Sequence, residues 1–155
     1  MSIASVDRAR LRAARERLQS SADPKLLLQA LEEIVTTLVG CREMVIHEVS
    51  RDHSLLTPVK VVGLRPDAVG PIRVGDGVLG LAAATGRVWV GDAGQHELAG
   101  RGVSACIPLL SEGRVTGVLV LYRLVEGKAR LQGSDLELLE TIGRHAGTGL
   151  GTTTS

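Results

Sequence analysis

The chain has 155 residues, 44% hydrophobic and 23% charged, which points to one globular domain and excludes disordered, collagen-like and low-complexity classes. Eighteen Lys and Arg against 17 Asp and Glu leave a net charge of +1, so no overall field draws the chain to nucleic acid or anionic lipid. There is no Phe and no Asn, and Trp89 and Tyr122 are the only aromatics, so the core has to be aliphatic. Residues 1–21 are expected to form an Arg-rich helix in which Ala4, Leu11 and Leu18 recur every seven residues, a seam too thin for a coiled coil. Five arginines stand there against Asp7 and Glu16, and Arg8, Arg12 and Arg15 share one helix face. Such a face either docks an acidic partner or is simply solvated, and the lack of interleaved aromatics argues against nucleic acid.

A second helix is better punctuated. Asp23 is placed to cap it, Pro24 fits its first turn, Leu27, Leu31, Ile34 and Leu38 make an apolar stripe, and Gly40 can end it. From Cys41 the period becomes that of strands: residues 43–49, 57–64 and a short 70–74, with Gly and Pro at the turns. Residues 78–85 suit a short Ala-rich helix, 87–91 a strand, 92–102 a loop or small helix, and 103–110 and 114–124 a strand pair joined through Ser111-Glu112-Gly113. Val115, Leu119 and Leu121 alternate with Val118, Val120 and Tyr122, so this pair is expected to be covered on both faces. The last helix opens on Ser134-Asp135-Leu136-Glu137, a capping box, and carries a stripe of Leu136, Leu138, Leu139, Ile142 and Ala146. Residues 151–155 are expected to be a flexible tail. Helices, a meander of strands and a closing helix make an α+β class.

Several strings in this order resemble the GAF domain, a small ligand-sensing and dimerising module. They are Ile72 to Gly80 (IRVGDGVLG), Ala83 to Asp92 (AATGRVWVGD), Ser104 to Leu109 (SACIPL), Gly113 to Leu119 (GRVTGVL) and Asp135 to Leu139 (DLELL). The resemblance covers about residues 22–150. It implies a central antiparallel sheet of about six strands, terminal helices on one face, and short helices, loops and a ligand cavity on the other. Within it, Gly77, Val78 and Leu79 at a helix start would line the cavity, opposite Asp92, His96 and Cys106, and the helix start would favour an anion or a carbonyl oxygen.

Other chemistries fit the residues less well. Gly75, Gly77 and Gly80 spell the dinucleotide-binding GxGxxG, but the preceding strand is brief and carries Pro71 and Arg73, and the helix after it is short. A dinucleotide-binding enzyme is therefore the remote alternative. The cyclic-nucleotide relatives carry a signature containing Asn and Phe, which this chain lacks. Bilin-binding relatives use a Cys often followed by His, whereas Cys41 precedes Arg42 and Cys106 precedes Ile107. Relatives that reduce free methionine sulfoxide need cysteines in the loop before the Ser104 strand, and residues 92–103 contain none. Cys106 lies inside a predicted strand, where a small buried hydrophobe is the plain expectation. His47, His53, His96 and His145 show no compact metal-ligand spacing; His96, in the segment that roofs the cavity by resemblance, could serve as a haem ligand, but an exposed loop histidine is the plainer expectation.

The expectation is a cytoplasmic, non-enzymatic module of signal transduction without cofactor, metal or membrane contact, regulating through protein–protein interaction. Two cysteines with no disulfide pattern, no secretory leader in view and no apolar run near the ~18–20 residues of a membrane span support that compartment. The expected partners are a second copy, through Leu27, Leu31, Ile34, Leu38, Leu136, Leu139 and Ile142, and an unidentified signalling protein. The alternative is a small-molecule sensor with an occupied cavity and a ligand other than a cyclic nucleotide.

Overall fold

Asp23 stands in extended conformation ahead of helix α1 (Pro24–Ile34), and its carboxylate accepts a hydrogen bond from the Lys25 amide at 2.8 Å. Pro24 in the first turn loses no helical hydrogen bond, so cap and proline together set the start. The computed structural model describes residues 9, 12–13, 16–18, 23–65, 67, 69–91, 97–98, 101–124, 131 and 133–146. After Ile34 the helix widens into a π turn over Val35–Val39, closed by the Gly40 amide donating to the Val35 carbonyl at 3.1 Å. The Thr36 hydroxyl donates back to the Glu32 carbonyl at 2.7 Å and Thr37 does the same to Glu33. These side chains compete at the carbonyls where the ladder changes period. The phase of the apolar stripe shifts with it. Val35 and Val39 are buried, while the side chain of Leu38 lies outside the described residues.

Strands β1 (Cys41–Val49), β2 (Leu55–Val62), β3 (Ile72–Arg73), β4 (Trp89–Val90), β7 (Ala105–Ser111) and β8 (Arg114–Leu124) form one sheet in the order β3-β2-β1-β8-β7-β4. Every neighbouring pair is antiparallel. Two-residue strands β5 (Glu97–Leu98) and β6 (Arg101–Gly102) pair with each other in the segment expected to be a loop or small helix. Helix α2 (Gly77–Thr85) packs on one face of the sheet, and α1 with α3 (Gly133–Ala146) on the other. The fold is thus α+β, a six-stranded antiparallel sheet with terminal helices on one face and a short helix on the other.

Strand alternation divides the interior into two cores. Met44, Ile46, Ile107, Leu109, Leu119 and Leu121 face α1 and α3; Val45, Val49, Cys106, Val118, Val120 and Tyr122 face α2. Val115 departs from the expected phase: it packs with the α2-side core instead of with Leu119 and Leu121. The reason is a bulge. Leu109 pairs with Gly117 but Leu110 with Val115, so Thr116 is an extra residue that shifts the phase at the base of β8. A similar shift in β2 pairs His47 with Pro58 after Ile46 pairs with Lys60, which seats a proline that has no amide for the ladder.

The helical stripes expected to meet a second copy point inward. Leu27, Leu31, Ile34, Leu139 and Ile142 are between 0 and 4% exposed in the single chain and pack against its own sheet. An amphipathic stripe states that a face must be buried, and here the sheet buries it. Leu136 is half-buried at the margin. Close packing at α3 depends on Gly143: a Cβ there would come within 2.6 Å of the Pro108 carbonyl oxygen. Of the first segment, the described residues are helical. Leu18 is buried in the helix-side core and Arg17 pairs with Glu33 of α1. Arg12 is exposed; Arg8, Arg15, the Ser134 side chain and residues 151–155 lie outside the described residues. Among the described residues, no helix is long and apolar enough to cross a membrane.

Candidate functional site

The glycine motif before α2 builds a turn. Gly75, at φ +99°, donates its amide to the Gly80 carbonyl at 2.9 Å, and a Cβ on Gly80 would lie 2.6 Å from the Arg73 carbonyl oxygen. The motif therefore lets the helix back onto its own entry strand. With a two-residue, antiparallel strand ahead of it, it lacks the parallel strand and crossover helix a dinucleotide fold requires.

Of the residues expected around a cavity, the structure brings three together. Leu79 and Cys106 are fully buried in the α2-side core, and Val78 packs on its edge. Gly77 is exposed, with open space where a side chain would stand. Asp92 and His96 lie outside the described residues. Burial pushes the Cys106 thiol up to about 12, which leaves almost no thiolate at neutral pH. Cys41 is buried too, but on the helix side, so the two thiols belong to opposite faces of the sheet. Among the described residues no group of His, Cys, Asp and Glu could hold a metal ion. Tyr122 is buried and Trp89 half-buried in the α2-side core, so both aromatics of the chain sit on this face.

His47 was given no role by the spacing of the histidines, yet it is the unusual residue of this face. It lies on β1 between Val45 and Val49, opposite Val118 of β8, and is fully buried. Neither ring nitrogen has a hydrogen-bond partner among the described residues. Desolvation holds its pKa down at about 4, so the ring is neutral at pH 7. Leaving such a group unsatisfied costs about 1–3 kcal/mol. A neutral imidazole offers one donor and one acceptor, and neither is used among the described residues. The only sequence signal was a polar residue at an apolar phase of a strand.

A second feature opens at the end of the sheet, between the β1–β2 and β7–β8 turns. In the first turn the Asp52 carboxylate accepts from the Ser50 and Ser54 hydroxyls at 2.7 and 2.6 Å and from the Ser54 amide at 3.1 Å. These donors hold its pKa down at about 2. The turn places His53 at φ +57°, and its Nε2 lies 2.9 Å from Nη2 of Arg114 on the opposite turn. Because a guanidinium can only donate, Nε2 is the acceptor. Two lobes of about 270 and 500 Å³ meet at this bridge and share Val49, His53, Arg114 and Val115.

A six-stranded antiparallel sheet with helices on one face and a short helix over a partly polar core on the other defines a class of small sensory and regulatory domains. Residues 23–152 match the GAF domain family, and the chain belongs to that family. Solved structures with the same fold include the GAF domain of a phosphoenolpyruvate-protein phosphotransferase from Coxiella burnetii, 16% identical, with a TM-score of 0.75 over 94% of this chain and 92% of that one. The corresponding domain from Acinetobacter is 19% identical, with a TM-score of 0.74 over 99% and 96%. A free methionine-R-sulfoxide reductase from Neisseria meningitidis, solved in complex with its substrate, is 23% identical, with a TM-score of 0.71 over 96% and 93%. No curated protein sequence matches the chain.

Proposed function

We propose that this GAF domain is a non-enzymatic regulatory module of cytoplasmic signal transduction that works through contact with another protein. The observation that carries this reading is that, among the described residues, the middle of the α2 face is filled by its own side chains. Val45, Leu79, Cys106, Val118 and Val120 are all fully buried there. The state of the thiols supports it: both are buried and on opposite faces, and Cys106 is held protonated. Pairing of two copies uses the outward side of the helical layer, where Leu26 is 54% exposed, and not the inward stripes.

The specific observation favouring the second reading, a small-molecule sensor, is the buried His47, whose ring nitrogens have no hydrogen-bond partner among the described residues. A ligand carrying one acceptor and one donor would satisfy it. Native mass spectrometry of freshly purified protein separates the two. The bare chain mass is the expected result, and a retained small molecule lost on His47→Leu replacement transfers the reading to the sensor. Light scattering of the wild type and of Leu26→Glu tests pairing, with a shift from dimer to monomer expected.

A further inference from the structure

We infer that the cleft between the two turns at the end of the sheet binds a small aliphatic carboxylate, with Arg114 and Arg51 holding the carboxylate and the valine-lined wall holding the chain. This site borders the α2-side core, sharing Val49, Val74, Ala83 and Val115 with it, and does not rest on the reading above. Its first lobe is lined by Ser50, Arg51, His53, Ser111, Glu112 and Thr116 together with the shared Val49, Arg114 and Val115. The lining thus holds two arginines, Arg51 and Arg114, and one acidic residue, Glu112. Among the described residues neither Arg51 nor Arg114 makes an ion pair. The one nearby carboxylate with a full set of donors, Asp52, is held inside its own turn.

Arg114 is not merely a solvated side chain. His53 accepts one of its five N–H groups without neutralising its charge, so the planar fork is steadied with donors to spare. The backbone helps to set this arrangement. Both His53 and Glu112 stand at positive φ, +57° and +51°, conformations that cost about 1 kcal/mol or more for residues other than glycine.

The second lobe gives the ligand its direction. It is walled by Val74, Ala83, Ala84, Thr85, Gly86 and Gly113 beyond the shared residues. Those α2 residues are the C-terminal end of the helix, where unpaired carbonyls carry partial negative charge and repel an anion. The carboxylate therefore belongs in the first lobe, and the hydrocarbon lies across Val49, Val74, Val115 and Ala83. The second lobe, at 500 Å³, is of the size that small-molecule pockets commonly take, about 300–1,000 Å³, and the first, at 270 Å³, falls just below it.

The test is an NMR titration of the full ¹⁵N-labelled chain with hexanoate, set against hexylamine, which has the same chain with opposite charge, and inorganic phosphate, an oxyanion without a chain. Hexanoate is expected to shift the amides of Val49, His53, Arg114 and Val115 saturably, with hexylamine and phosphate at least about tenfold weaker. Arg114→Gln should weaken hexanoate by about tenfold or more, the scale of a lost charge-assisted hydrogen bond. Arg51→Gln is a second exposed replacement, with a smaller loss expected, and guards against a fold defect at Arg114. Equal binding of hexylamine, binding of phosphate as tight as hexanoate, shifts confined to other residues, no saturable shift, or indifference to both replacements overturns the assignment.

Discussion

The two faces of the sheet are built from the same strands but solve different problems. On the helix side, Met44, Ile46, Ile107, Leu119 and Leu121 meet Leu31, Leu139 and Ile142, and almost every buried group is aliphatic. On the α2 side the strands present valines with Cys106, His47 and Tyr122 among them, covered by a nine-residue Ala-rich helix. The first face contributes stability through burial, at about 1.5–3 kcal/mol per large aliphatic side chain. The second gives up part of that gain to keep polar atoms inside. The difference teaches that packing alone explains the helix layer, whereas the α2 face carries features that packing would have removed.

The largest effect expected from this contrast lies on the helix side. Leu139→Ala should cost about 2–5 kcal/mol in urea denaturation, the range for a truncated core leucine, because Leu139 is fully buried between helix and sheet. A loss below about 1 kcal/mol would show that the helical layer is loosely packed.

The next effect belongs to His47. In the unfolded chain the imidazole takes up its proton near pH 6.5, in the fold only near 4. Between those values the unfolded state binds more protons, so stability is full above pH 6.5, falls as pH drops, and stops falling near 4. The loss is about 3 kcal/mol, read from denaturation curves across that window. His47→Leu should remove this part of the pH slope while keeping or raising stability at pH 7, since it deletes two unsatisfied atoms. A variant with unchanged slope would assign the pH dependence to other groups.

The smallest effect concerns the link between the edge of the sheet and the helical layer. Lys60 of β2 reaches Glu32 of α1 at 2.9 Å, with both side chains about a third exposed. Solvent screening limits such a pair, so a double-mutant cycle with Lys60→Met and Glu32→Gln should return under about 1 kcal/mol. A larger coupling would mean that the two layers are joined by charge as well as by packing.

Much of the local structure was legible. The Asp23 cap, the strand pair around Ser111-Glu112-Gly113 and the closing helix follow from residues within a few positions of one another. Less could be read about the sites. Val78, Leu79 and Cys106 do meet, but Gly77 stands outside their cluster. The π turn after Ile34 left no pattern beyond two adjacent threonines. His53 and Arg114, 61 positions apart, gave no sign of their contact.

By itself the sequence determined the order of elements, the aliphatic nature of the core and the family, because caps, turns and period are short-range properties. The absence of Phe and Asn likewise removed the family's cyclic-nucleotide signature. Only the tertiary structure decided which surface each apolar stripe meets. The stripes expected to join two copies instead join helix to sheet, since spacing fixes that a face is buried and not what buries it. The isolation of His47, the phase change at Val115 and the cleft at the end of the sheet depend on cross-strand register and on turns brought together from distant positions. Such contacts follow from the packing of the whole chain, and no local period encodes them.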